Sequence, residues 1–394
     1  MTSSSRSPLA LIFGIVFIDL VGFGIVIPVL PLYAERFGAS PLVIGCLLGI
    51  YSAMQCLAAP LLGKLSDRVG RRPVLLLSIA GTAGGFLLMG LANTLGLLFA
   101  ARIIDGATGG NISTAQAYIA DVTPPEDRSR RMGLIGAAFG LGFIFGPAIG
   151  GLLSRVSLAA PFFFAATLAA INMVAVFFFL PESLSPAERG RARDHVPLAR
   201  IFQEAHARHR PLLLVLAIYF FVTVAFSLLT ATYPLFTERQ FGFHATENGY
   251  IFAAQGLLGA IIQGGLLGVL VHVLGDKGLT ITGTAILAGS LFLLPMSSTV
   301  TVLFVTTAAV AIGHSLTMAP LNGLASNSVS QSAQGRVLGV MQSAASLARI
   351  IGPVLGGWLL DVDAAHSAAW FGQTPYWTAG ILGVVAVGLS LFLS

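Results

Sequence analysis

The sequence predicts an all-α membrane protein of twelve transmembrane helices arranged as two pseudo-symmetric six-helix bundles. Three observations carry that reading. The 394-residue chain is 56% hydrophobic and 9% charged, with mean hydropathy +0.88, whereas a soluble domain carries roughly 25% charged residues. Its apolar runs are close to the roughly 20 residues that cross a bilayer as a helix. Its second half repeats motifs of the first at a nearly constant offset.

Polar punctuation places the spans at 9–32, 42–62, 74–94, 97–120, 132–154, 160–180, 211–236, 247–271, 279–297, 300–323, 336–359 and 374–393. A transmembrane β-barrel needs segments that alternate in hydrophobicity, and these runs are apolar on all sides. Topology follows from Gly63–Pro73, GKLSDRVGRRP, a short connection that holds Lys64, Arg68, Arg71 and Arg72 and joins two antiparallel spans. The positive-inside rule assigns it to the cytoplasm. With both termini cytoplasmic, sixteen of the 21 Lys and Arg residues fall inside, while Arg36, Arg155 and Arg239 fall outside and Arg102 and Arg349 within spans. The pI near 9.6 therefore reflects loop asymmetry facing anionic headgroups, and no nucleic-acid partner is expected. The first apolar run is too long for a cleavable signal peptide. These features predict a multi-pass protein of the cell inner membrane, monomeric, whose surroundings are lipid.

The repeat is specific. Pro31-Leu-Tyr-Ala-Glu-Arg-Phe-Gly38 recurs as Pro234-Leu-Phe-Thr-Glu-Arg-Gln-Phe-Gly242, and Arg130, Gly133, Gly146-Pro147 and Gly150-Gly151 recur 206 residues later at Arg336, Gly339, Gly352-Pro353 and Gly356-Gly357. Gly63–Arg72 has a worn copy at Gly268–Lys277, in which His272 replaces Asp67. Six spans per copy give parallel repeats, an architecture in which transporters handle substrate near mid-membrane. The expected organisation is an N-terminal bundle over 1–182, a cytoplasmic linker over 183–209 with one surface helix between Leu198 and His209, and a C-terminal bundle over 210–394. His195, His206 and His209 in that linker lack a metal-ligand spacing. Cys46 and Cys56 are ten residues apart on one predicted helix, about 15 Å along its axis, too far for a disulfide. No metal site is expected.

Ionisable side chains inside spans are costly in hydrocarbon and mark function. Asp19 sits halfway along the first span on the face of Ile15, Phe23 and Val26, and its repeat counterpart is Val222, so packing symmetry does not demand an acid there. A carboxyl so placed can take up and release a proton as access alternates. A structural acid bonded to a neighbouring helix is the competing reading. Arg102 and Asp105 share a helical face with Gly109, Ser113 and Gln116, a polar stripe suited to an internal cavity, or a purely structural ion pair. The second half carries Thr223, Ser227 and Thr230, then Gln255 and Gln263, His314, and finally Gln342, Ser346 and Arg349. Such hydroxyls and amides also join helices to one another. The substrate-binding candidates are Phe23, Ser113, Gln116, Ser227, Gln255, His314, Gln342 and Arg349. Arg349 replaces Phe143 of the first repeat and requires an acid, an anionic substrate or water.

GKLSDRVGRRP, RIIDGATGG at Arg102–Gly110 and GLGFIFGPAIGG at Gly140–Gly151, in that order, resemble the loop, arginine and antiporter signatures of the major facilitator superfamily. FIDLVGFGIVIPVLPLYAERFG and PFFFAATLAAINMVAVFFFLPES are similar to the proton-coupled drug antiporters, most of all the tetracycline-efflux group. The resemblance implies the major facilitator fold, alternating access, no cofactor and drive by a proton gradient. It implies that Arg102 faces Asp19 in proton handling with Asp105 as resting counter-ion. It implies that Gly142, Gly146, Pro147, Gly150 and Gly151 pack at the interface that permits exchange. It also implies a conformational latch of Gly63, Asp67, Arg68, Gly70, Arg71 and Arg72, with Asp67 docking at the start of the eleventh helix near Gly335 and Arg336, and with Asp121 meeting the loop arginines. The tetracycline antiporters carry an acid in the third span, where this chain reads GTAGGFLL with Gly84 and Gly85, and another in the ninth, where it reads AILAGSLFLL. Both departures point to a different amphiphile.

A phosphate loop GxxxxGK[ST] is absent from the sequence, which argues against ATP drive. HExxH and GxSxG are absent as well, and a channel has no need of mobile Gly-Pro repeats, so no enzyme is expected. The sequence thus predicts proton-coupled efflux of amphiphilic small molecules, against the alternative of a facilitator or proton symporter for one metabolite such as a sugar or organic anion.

Overall fold

The computed structural model describes residues 6–124, 127–185, 189–190, 203, 205, 212–330, 333–366 and 371–393. The described regular elements are helical: α1 (Arg6–Glu35), α2 (Pro41–Val69), α3 (Arg71–Gly90), α4 (Leu95–Thr108), α5 (Asn111–Asp121), α6 (Arg128–Leu153), α7 (Ala160–Phe179), α8 (Leu212–Phe241), α9 (Ala245–Ile261), α10 (Leu267–Leu293), α11 (Val300–Asn327), α12 (Gln334–His366) and α13 (Gln373–Ser390). Nine stretches among the described residues are long and apolar enough to cross a membrane. One of them, Ala245–Met296, holds two crossings joined at Gly275. The pair α4 and α5, with α13, supplies the rest of the twelve. Of the linker helix expected over Leu198–His209 only Gln203 and Ala205 are described, both helical; the rest of it, with His195, His206 and His209, lies outside the described residues.

Three boundaries differ from expectation for stated reasons. Gly63–Pro73 is not a loop: α2 runs on through Val69 and α3 starts at Arg71, leaving Gly70 as the connection at φ 111°. That backbone favours glycine. A Cβ at Gly70 would also strike the Glu182 carboxylate, which accepts from Arg71 N at 2.8 Å, Arg72 N at 3.2 Å and Leu184 N at 3.1 Å. Glu182 thus satisfies donors that a helix start leaves open. The repeat copy is Gly275, again at positive φ, 68°. The third difference is in the fourth span, which breaks at Gly109-Gly110 between α4 and α5. There Gln55 Nε2 donates to Gly109 O at 3.0 Å, and Leu62 packs where a Cβ of Gly110 would lie. Among the backbone groups the break exposes, the Gly109 carbonyl is thereby satisfied, as hydrocarbon requires.

Two compact units form. The first comprises Met1–Ala39, Ile50–Arg193 and Phe243–Ala253, and the second Ser40–Gly49, Asp194–Gly242 and Ala254–Ser394. They depart from the sequence halves by two exchanged segments, the start of α2 and the start of α9. In the first unit Ile12, Ile15, Leu75, Ile79, Ala115, Tyr118 and Val176 form a buried core across α1, α3, α5 and α7. The Gly-Pro segment of α6 seats two helices. Gly142, Gly146 and Gly150 lie against Leu20–Ile25 of α1, where a Cβ at Gly146 would come 2.6 Å from Val21 O. Gly151 turns the other way, onto Ala245, Thr246 and Gly249 of α9, and Gly151 O accepts from Thr246 Oγ1 at 2.9 Å. In the second unit Gly352 and Gly356 of α12 seat Val224–Thr232 of α8, and Gly357 seats Pro41 and Leu42 of α2.

At that last contact Asp361 caps α2. Its Oδ2 accepts from Leu42 N at 3.1 Å and from Ser40 Oγ at 3.0 Å. A carboxylate at a helix start contributes about 0.5–2 kcal/mol. Asp361→Ala should therefore speed amide hydrogen exchange in the first turn of α2, resolved by mass spectrometry of peptides covering 40–49, while exchange in α8 stays the same. Equal exchange in variant and parent would mean that Asp361 does not hold this helix start.

Candidate functional site

The polar centre of the first unit is built on α1, α2, α3, α4 and α5. Arg102 and Asp105, three residues apart on α4, are both buried and pair with Nη1 3.3 Å from Oδ2. Asp105 reaches α3 because Gly85 has no side chain: a Cβ there would come 2.8 Å from Asp105 Cβ. The hydroxyl of Thr82 meets the Asp105 carboxyl. The Arg102 guanidinium lies over the Tyr51 ring, 4.2 Å from its centroid, a stacking that stabilises a desolvated cation by about 2 kcal/mol. Gly106 permits this approach, since a Cβ at that position would run into Tyr51 backbone atoms. The Arg102 Nε is buried without a hydrogen-bond partner.

Asp19 lies within electrostatic reach of Asp105 and beside the side-chain amide of Asn111. Among the described ion pairs Arg102 is joined to Asp105 and not to Asp19. Asn111 stands at the first position of α5, immediately after the Gly109-Gly110 break, and its buried Nδ2 has no partner in hydrogen-bonding geometry. Phe23, one turn beyond Asp19, packs against Tyr51 at 5.9 Å and Phe143 at 6.0 Å between ring centroids. Ser113 donates to Gly110 O at 2.9 Å and is exposed, as is Gln116. Sequence reasoning singled out Asp19, Arg102, Asp105 and Phe23 but missed Tyr51, Gln55, Thr82 and Asn111. The Gly-Gly-Asn run at 109–111 is a turn signal that marks the break and its polar start.

The second unit gathers a different set. The Phe226 ring on α8 stacks on His314 of α11 at 3.9 Å between centroids. Arg349 Nη2 lies 3.3 Å from Ser346 Oγ on α12, with Tyr219 of α8 within electrostatic reach. Gln255 on α9 has a buried Nε2 that makes no hydrogen bond. One turn further along, Gly259 approaches Ser315, the neighbour of His314. Ser227, expected as a lining residue, is buried with its Cβ against Gly352. Gln342 is exposed on α12. Tyr219 and Phe226 carried no charge signal and were not singled out.

At the α2–α3 junction Arg71 is buried and joins Asp67 Oδ1 at 2.7 Å and Asp121 Oδ2 at 3.0 Å. Ser183 Oγ also donates to Asp121 at 3.2 Å. Arg72 donates to Phe177 O and lies over the Phe177 ring. Arg68 is exposed, and the space around Gly63 is open. Among the described residues no cluster of His, Cys, Asp and Glu has metal-holding geometry.

Paired six-helix repeats, a few mid-span charges and a Gly-Pro helix in each repeat define a polytopic membrane transporter. The model of the Major Facilitator Superfamily matches residues 12–283 and 215–394, and the chain belongs to that superfamily. It is 35% identical over 383 residues to the class C tetracycline resistance protein of Escherichia coli, covering 95% of this chain and 94% of that one. It is 31% identical to multidrug resistance protein 2 of Bacillus subtilis, covering 95% and 92%. The crystal structure of the human organic anion transporter MFSD10 (TETRAN) matches with TM-score 0.71 at 25% identity, covering 99% and 100%. A bacterial homologue of the human lysosomal transporter Spinster, inward-facing and unoccupied, matches with TM-score 0.84 at 16% identity, covering 99% and 97%. This last likeness bears on the fold alone.

The buried Arg102–Asp105 pair has a testable energetic signature. Removing one partner leaves an uncompensated charge and costs about 3–5 kcal/mol, whereas removing both can be nearly neutral. Arg102→Ala and Asp105→Ala should each lower the thermal unfolding midpoint in detergent, and the double variant should recover most of the loss. Additive losses would dissolve the pair as a unit.

Proposed function

We propose that the protein is a secondary active transporter that expels amphiphilic small molecules in exchange for protons. Whole-length similarity to tetracycline and multidrug resistance proteins supports this reading. The single structural observation behind it is the grouping of Asp19 with Asp105, Arg102 and Asn111 inside one unit. Two carboxylates and one guanidinium carry a net charge of −1 when ionised and none once a proton is added. A neutral centre crosses a closed, dry state at low cost, while a charged one favours a state open to water. Asp19 is the exchangeable proton's carrier, and Arg102 and Asp105 hold the charge around it. The proton gradient is the drive, with no cofactor. The chain works as a monomer in the cell inner membrane with both termini cytoplasmic.

Asp19→Asn should abolish uphill efflux while substrate binding persists. The measurement is uptake into inverted proteoliposomes under an imposed pH gradient, with an uncoupler as control, after a drug-accumulation screen in a pump-deficient host has supplied a substrate. Proton-dependent transport retained by the variant would remove Asp19 from the mechanism.

Gly63, Asp67, Arg68, Gly70, Arg71, Arg72 and Asp121 serve as a conformational latch, in which Asp67 supplies the negative charge that a helix start favours. A charge at a helix terminus is worth about 0.3–2 kcal/mol, enough to shift an evenly poised equilibrium about twofold or more. Asp67→Asn should redistribute the distances between spin labels on the cytoplasmic ends of the helices. An unchanged distribution would take the latch out of the mechanism.

A further inference from the structure

The mid-span charges divide by unit, and the division bears on cargo. Asp19, Asp105 and Arg102 lie in the first unit, with a net charge of −1 when ionised; the second holds Arg349 well inside α12, while its described carboxylates, Glu238, Asp276, Asp361 and Asp363, stand near helix ends or at the Gly275 junction. Around Arg349 the unit is rich in donors. Ser346 lies one turn away and Tyr219 opposes it from α8. Towards His314, one turn before the Gly259 that approaches Ser315, Gln255 contributes a buried amide nitrogen that is not hydrogen-bonded. An N–H left unsatisfied in a dry setting is costly and is relieved by an arriving acceptor. On the same helix as Tyr219, two turns on, Phe226 stacks on His314, offering a flat aromatic surface. Arginine suits planar, bidentate recognition of oxyanions.

We infer that the second unit is the cargo cradle and that it selects an aromatic organic anion, a flat ring bearing a carboxylate or sulfonate, with the oxyanion on Arg349 and Tyr219, the ring against Phe226 and His314, and Gln255 donating from the His314 side. The inference rests on the transporter reading, naming its substrate class, but not on proton coupling. Apolar pockets with a few placed polar groups are the usual form of small-molecule sites. The opposite assignment, a cationic cargo drawn to Asp19 and Asp105, would leave the second unit's donors without use.

The test is equilibrium dialysis of the full chain in lipid nanodiscs, against empty nanodiscs and without any gradient. The probes are 2-naphthalenesulfonate and 2-naphthylmethylammonium, one ring with opposite charge. The sulfonate should bind and the ammonium should not. Arg349→Gln should weaken sulfonate binding about tenfold or more, the loss of a charge-assisted contact, and Phe226→Leu should weaken it as well. Arg349→Lys should retain part of the affinity, which keeps the test decisive if Arg349→Gln fails to fold. Preference for the ammonium, binding of neither probe, or sulfonate binding indifferent to Arg349 overturns the inference. Because no gradient is applied, a parent protein that binds the sulfonate but shows no proton-gradient-driven transport in proteoliposomes would count against proton coupling and leave the cargo class standing.

Discussion

Helices in a bilayer gain little from hiding apolar side chains, since lipid is as apolar as leucine, and must hold together by close backbone approach. In this protein that approach is made on rows of glycine. Gly142, Gly146 and Gly150 bring α6 against α1, and Gly352 and Gly356 bring α12 against α8. Each row ends in a glycine facing a different helix, Gly151 under α9 and Gly357 under α2. The duplicated motif thus does two jobs in each copy. It packs one helix of its own repeat and seats the start of a helix from the other.

The polar groups are arranged around those seats. α1 is fixed to α6 over Leu20–Ile25, which sets Asp19 and Phe23 at a definite depth and rotation. α4 is drawn to α2 and α3 through Gly106 and Gly85, and only then can Arg102 lie over Tyr51 and Asp105 reach Thr82. In the second unit Ser227 packs against Gly352. Its small side chain lets Gly352 approach, which positions Arg349 about one turn before it.

Much of this was legible in the sequence, because hydropathy and charge are summed over many residues and because duplication supplies a second reading of each feature. The Gly63–Arg72 copy at Gly268–Lys277 is worn in charge yet keeps the positive-φ glycine, Gly275 for Gly70. Arg102, Asp105 and Asp19 were found because charge in hydrocarbon is rare. The break at Gly109-Gly110 was passed over because membrane helices tolerate glycine. Tyr51, Tyr219 and Phe226 were invisible because aromatic side chains mid-span have little cost that requires explanation, and Asn111 was passed over with the break it follows. The exchange of helix starts was beyond reach for a different reason: hydropathy says that a helix crosses, not which helices it touches.

The exchanged segments also constrain how the molecule is made. The first compact unit contains Phe243–Ala253, a stretch that follows the whole of α8 in the chain. On a ribosome that inserts helices from the N-terminus onward, the first six crossings wait for the start of α9 before their unit is complete. Until then Gly151, one turn past Pro147, lacks the helix start that it seats in the finished fold.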